Sequence, residues 1–146
     1  MGMSTGQDME KVSRSLHSIA IYLLRTLRVQ DSALGIGPSQ LSALSVIVFG
    51  GPRSLHELAK AEQVRPPTMS RIVDALVGEG LAIREVNRAD RRSVKISPTQ
   101  KGIKIMHDGR DRRERHLIQL LKPLKPDEVR DIQRATEILT KVLQAG

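Results

Sequence analysis

The chain has 146 residues, one domain by length, with 24 Lys and Arg against 16 Asp and Glu, a formal net charge of +8. A sequence pI near 10.4 makes a polyanion its natural partner. It has no cysteine, which excludes disulfides, thiolate metal sites and a cysteine redox switch. No apolar run reaches membrane length and the N-terminus lacks a signal peptide's apolar stretch, so no membrane partner is expected and the cytoplasm is the expected location.

In chain order, Met1 to Gln7 reads as a small, polar, frayed end. A helix should begin near Asp8. Met9, Val12, Leu16, Ile19, Leu23 and Leu27 step by three and four, a heptad-like stripe longer than one small domain can cover. It fades at Asp31-Ser32, and Gly35 and Gly37 mark a loop. Pro38 starts a second helix, with Leu41, Leu44, Val46, Ile47 and Val48 mostly inward, and Gly50-Gly51-Pro52 stops it.

The stretch from Ser54 to Lys101 organises the rest. Ser54 with Glu57 is a capping box, so a short helix starts there with Leu55, Leu58 and Ala59 on one face. A turn over Glu62 to Arg65 follows. Pro66 and Pro67 fit only the first turn of the next helix, where missing N–H groups cost little. Met69, Ile72, Val73 and Leu76 point inward, and Gly78 and Gly80 end this helix. Thr68, Ser70 and Arg71 are left on its other face near the N-terminus, a pattern that suits the major groove of DNA.

A β-hairpin follows. Leu81, Ile83 and Val86 give one strand; Val94 and Ile96, alternating with Lys95, give the other. The tip between them, Asn87 to Ser93, is polar and basic. From Arg65 to Lys101 the cations are Arg65, Arg71, Arg84, Arg88, Arg91, Arg92, Lys95 and Lys101, against the anions Asp74, Glu79, Glu85 and Asp90. That excess on a helix and a hairpin tip can meet phosphates.

After the hairpin, Thr99 should cap a long helix carrying Ile103, Ile105, Met106, Leu117, Leu120, Leu121 and Leu124. Its run from His107 to His116 reads as a solvated face with close-range ion pairs. Pro123 and Pro126 bracket a turn. A last helix from Asp127 carries Val129, Ile132, Ala135, Ile138, Leu139, Val142 and Leu143. A two-fold dimer that interlocks the first and last helices would bury both stripes. It would also set two reading helices roughly 34 Å apart, one DNA turn, and so select a pseudo-palindromic site.

In this order, the helix ending GEGLAIRE, the hairpin ADRRSVKIS and the following PTQKG resemble the winged helix-turn-helix of the MarR family of bacterial transcriptional regulators. Asp90-Arg91-Arg92 matches the family's Asp-x-Arg wing. Pro98-Thr99-Gln100-Lys101-Gly102 matches its Leu-Thr-x-x-Gly only in part, because Pro98 stands where Leu is usual. The resemblance implies the same dimer and release from DNA by a small anionic or aromatic effector. Such an effector would sit where the first helix passes the second, near Ile19, Tyr22, Leu23, Arg25, Leu44 and Val48. Tyr22 would stack on a ring and Arg25 would pair a carboxylate.

The expected fold is thus mainly α with a small β-hairpin: one MarR-like domain over 1–146. Dimerisation helices cover 8–30 and 99–146, and a winged helix-turn-helix lobe covers 38–98. Thr68, Ser70 and Arg71 should face the major groove, and Arg65 and Lys95 should meet phosphates. Arg88, Arg91 and Arg92 should sit on the wing, with Arg92 reaching a narrow minor groove and Asp90 orienting a wing arginine. The chain should act as a homodimeric repressor on double-stranded DNA.

No catalytic, metal or cofactor site is expected. His17, His56, His107 and His116 form no ligand cluster, Ser54 lacks a nucleophile's setting, and Gly78-Glu79-Gly80 follows a helix, the wrong context for a nucleotide loop. Asp74 and Glu79 read as solvated surface. Two other readings stand beside the regulator. A basic architectural protein would bind all DNA sequences equally, and a protein-binding winged helix would ignore loss of the wing arginines.

Overall fold

The computed structural model describes residues 5–86 and 88–145. Residues 1–4 of the expected frayed end lie outside them, and Thr5 to Gln7 already belong to the first turn of helix α1, Thr5–Asp31. A 3-10 turn, Ser32–Leu34, leads to α2, Pro38–Gly50. Strand β1, Arg53–Ser54, precedes α3, Leu55–Ala61, and α4, Pro66–Gly78. Strands β2, Ala82–Val86, and β3, Val94–Pro98, form the hairpin. Helices α5, Gln100–Leu121, and α6, Pro126–Gln144, complete the described chain.

The chain divides into two compact units, one up to Asp111 and one from Arg112 onward. The core of the first is the winged lobe. Ala43, Leu44 and Ile47 of α2, Leu58 and Ala59 of α3, and Met69, Val73 and Leu76 of α4 meet there, closed over by Leu81, Ala82, Ile96 and Met106. The helical periods supplied that face in α3 and α4, whereas in α2 the expected Leu41, Val46 and Val48 are half-buried and Ala43 is buried beside Leu44 and Ile47. In α1 the apolar stripe is exposed instead: Met9, Val12, Ile19, Tyr22 and Val29 are all more than half exposed. In the second unit, α6 has no buried residue, and Val129, Ile132, Ile138, Val142 and Leu143 are exposed.

The sheet is three-stranded and antiparallel, in the order β1-β3-β2, so the hairpin gains a strand that the sequence reading lacked. Arg53 lies opposite Ile96 and Ser54 opposite Lys95. Two residues are too few to show an alternation period. The inward set also differs. Leu81 and Ala82 are buried, whereas Ile83 is exposed, because the strand starts at Ala82 and Leu81 belongs to the corner before it.

The capping box of α3 forms as expected. The Ser54 N–H donates to Glu57 Oε2 at 2.8 Å and the Glu57 N–H donates to Ser54 Oγ at 3.1 Å. The Ser54 backbone N–H, then its hydroxyl, with Arg53 and Lys95 adding positive charge, hold the Glu57 carboxyl below its ordinary value. A depressed carboxylate stabilises the fold above its ordinary range and loses that contribution as pH falls through the lowered value. Ser54→Ala should therefore move the Glu57 titration upward, seen by NMR of the side-chain carboxyl. An unmoved titration would remove the hydroxyl as a cause and leave the Ser54 backbone N–H, which alanine keeps, as the group that lowers it.

Candidate nucleic-acid interface

The corner joining α4, β2 and α5 sets the geometry of the lobe. Gly80 turns the chain at φ +71, a left-handed conformation that favours glycine. The Thr99 hydroxyl donates to the Gly80 carbonyl at 2.6 Å and accepts the Gly102 N–H at 3.1 Å, so it caps α5 and clamps the turn together. The Thr99 N–H donates to the Leu81 carbonyl at 3.1 Å. Lys101 Nζ donates to the Glu79 carbonyl at 2.9 Å, answering one open carbonyl just past α4. Pro98 closes β3 opposite Ala82, in register with the rest of the hairpin.

Helix α4 enters from Arg65, whose extended backbone (φ −74, ψ 148) is what a residue before proline prefers. Pro66 and Pro67 occupy its first turn. Met69, Val73 and Leu76 are fully buried, which leaves Thr68 and Arg71 exposed on the far side and Ser70 half-buried at the margin. The turn before it holds Gln63 at φ 55, the one non-glycine residue with positive φ among those described. A side chain there costs roughly 1–2 kcal/mol. Gln63→Gly should therefore raise stability, by about 0.5–1 kcal/mol after glycine's added unfolded-state entropy, as read from denaturant midpoints.

The wing tip carries Arg88, Arg91 and Arg92, all exposed; Asn87 lies outside the described residues. Asp90 is turned onto the backbone. Its Oδ1 accepts the Arg92 N–H at 3.0 Å and its carbonyl accepts the Ser93 N–H at 3.0 Å. That Asx-type turn fixes the tip from which Arg91 and Arg92 project. Lys95 is exposed but faces acids of its own lobe: it lies opposite Glu85 in register and contributes to lowering the Glu57 pKa. Across the hairpin, Ser97 donates to Glu85 Oε2 at 2.9 Å.

Two cations counted toward DNA are engaged elsewhere. Lys101 serves the corner, and Arg84 pairs with Asp74 of α4. Asp74 is thus exposed but partnered. On α5 Lys104, just before the run, pairs with Asp108 inside it, but the run is only partly solvated: Gly109 is buried and Asp108, Arg112, Arg113 and His116 are half-buried. Of the residues expected around an effector, Ile19, Tyr22, Leu23 and Arg25 are exposed on α1, Val48 is half-buried and Leu44 is fully buried. Leu44 belongs to the buried core of the lobe. The His107 and Phe49 rings form a T-shaped pair with centroids 5.6 Å apart, and the Arg110 guanidinium lies 6.0 Å from the Phe49 centroid. Among the described residues, no three His, Asp or Glu gather as metal ligands and no helix is long and apolar enough to cross a membrane.

A short helix, a turn, a second helix with a polar N-terminal face and a three-stranded wing together define a winged helix-turn-helix. Residues 34–93 match the MarR family model. An uncharacterized HTH-type transcriptional regulator from Mycobacterium bovis is 31% identical over 133 residues, covering 91% of this chain and 92% of that protein. The chain therefore belongs to the MarR family of winged helix-turn-helix transcriptional regulators, which are not enzymes. A MarR family protein from Bacillus stearothermophilus shares the fold, with a TM-score of 0.84 at 22% identity over 97% of this chain and 99% of that one. So does a mutant of MepR from Staphylococcus aureus bound to an oligodeoxyribonucleotide, at a TM-score of 0.69 and 23% identity over 92% and 96% of the two chains.

Proposed function

We propose that the chain binds a pseudo-palindromic double-stranded DNA site as a homodimer and represses transcription by occupying it. Thr68 and Arg71 read the major groove, with Ser70 at its margin, and Arg65 meets a phosphate. Arg88, Arg91 and Arg92 carry the wing to the neighbouring minor groove. The observation that carries this reading is the wing tip. Asp90 spends its carboxylate on the backbone, so the tip offers Arg91 and Arg92 from a fixed turn, beside a helix whose exposed face holds Thr68 and Arg71. The oligodeoxyribonucleotide held by the MepR mutant, a protein of the same fold, supports it.

Arg92→Ala should weaken binding to a selected site by about 1–3 kcal/mol and reduce the slope of affinity against salt by about one. Lys95→Ala should cost less, because Glu85 opposite it in register and the nearby Glu57 offset part of its charge. An unchanged affinity and slope for Arg92→Ala, with the fold intact, would remove the wing from the mechanism.

The homodimer rests on the exposed apolar faces of α1 and α6, which a second copy would cover. A small anionic or aromatic effector is proposed to use Tyr22 and Arg25 on α1, beside Ile19, Leu23 and Val48. A ligand found by thermal shift must bind less tightly to the DNA-bound protein, since coupling is reciprocal. Equal binding to both forms, or binding unaffected by Tyr22→Ala with Arg25→Ala, would rule this site out as the switch.

A further inference from the structure

Asp74 is the one carboxylate on the exposed face of α4. The core-facing residues Met69, Val73 and Leu76 place Arg71 directly opposite them, and Asp74 follows Arg71 by three residues, so the two are surface neighbours on the helix. Left alone, a carboxylate there would repel DNA phosphates and would be a ready partner for Arg71. It is not left alone: Arg84 of β2 holds its Oδ1 through Nη2.

The pair does little for stability, because both side chains are well exposed, 38% for Arg84 and 62% for Asp74, and surface pairs are worth about 0–1 kcal/mol. Nor is it needed to place the wing. The Leu81 N–H donates to the Leu76 carbonyl at 2.8 Å, fixing the start of the hairpin to α4, and β2 pairs with β3 along its whole length. What the pair changes is the charge on the DNA-facing side of α4.

We infer that Arg84 serves DNA binding without touching DNA: it is a positioning residue that neutralises Asp74 and keeps Arg71 free for the groove. This rests on the DNA-reading role of α4 proposed above. It also assigns Arg84 away from the phosphate contacts that its charge and location suggest.

The test uses full-length protein and a selected DNA site, with affinity measured across a salt series and folding followed by thermal melting. Arg84→Ala should melt close to wild type and lose about tenfold in affinity, whereas Arg84→Lys should bind within a few fold of wild type. The deciding variant is Arg84→Ala with Asp74→Asn, which removes both charges and should recover wild-type affinity. In an Arg71→Ala background, Arg84→Ala should cost much less than in wild type, because the residue it protects is gone.

Three results would overturn the inference. An Arg84→Ala protein that binds as wild type would show that Asp74 needs no neutralising. A double variant that stays weak with a salt slope reduced by about one would make Arg84 a direct phosphate contact. A double variant that stays weak with the slope unchanged would make the pair a mechanical strut. If wild type shows no preference for any selected site, it is the DNA-reading role of α4 that fails, before these variants are compared.

Discussion

Gly102→Ala should destabilise the fold by roughly 3–5 kcal/mol and lower the melting temperature by roughly ten degrees or more. A Cβ at this position would lie 2.2 Å from the Leu81 carbonyl oxygen and 3.2 Å from Leu44 Cδ1. The first obstacle is backbone and already accepts the Thr99 N–H, so it cannot move aside without breaking that bond. Leu44 is in the centre of the core, so the second obstacle cannot swing out to water. The first turn of α5 must therefore pull away from the corner, taking the Thr99 cap with it. Gly78→Ala is the matched control. A Cβ there meets nothing within 4 Å, so that substitution should be neutral or stabilising by about 0.5–1 kcal/mol. Equal melting of the two variants would show that the close approach at Leu81 is not what requires glycine.

Ile138→Asp combined with Val142→Asp should abolish assembly while the winged lobe stays folded. In the single chain these side chains are 53% and 64% exposed, so charging them incurs no burial penalty there. In a two-fold interface each would be buried in both copies, giving four unpaired carboxylates. The dimer dissociation constant should rise by at least about a thousandfold. Light scattering at micromolar concentration should report a loss of dimer, with a parallel loss of affinity for the palindrome because each half-site is bound alone. A variant that remains dimeric with wild-type melting would place the interface on another face.

The sequence was most legible where a periodic pattern met a local chemical rule. The Ser54–Glu57 box, the paired prolines starting α4 and the 3.6-residue stripe of Met69, Val73 and Leu76 each have a local cause, and each element forms where the pattern says. Strand β1 was hidden because two residues have no period. Ile83 turns outward because the strand starts at Ala82, one residue after Leu81, which the corner buries for its own reasons. The candidate interface was legible in its charge but not in its pairings. Arg84 and Lys101 look like any other cation in the run, and only the fold shows that Asp74 and the Glu79 carbonyl engage them. The role of Gly102 was visible only as one letter of a motif; its cause is a contact with Leu81, twenty-one residues earlier, that no local rule reports. The burial of Leu44 was illegible for the same reason: an apolar side chain on a helix face reads alike whether a ligand or a core covers it.

The measurement that bears most directly on the central claim is selection of random double-stranded DNA by the purified wild-type protein, followed by the affinity ratio between the selected site and a scrambled one at physiological salt. The account predicts an inverted repeat with half-sites about one helical turn apart, roughly 34 Å, bound at least about a thousandfold more tightly than scrambled DNA. Recovery of no common sequence, with equal affinity for every fragment, would contradict it and leave a basic protein that holds DNA by charge alone.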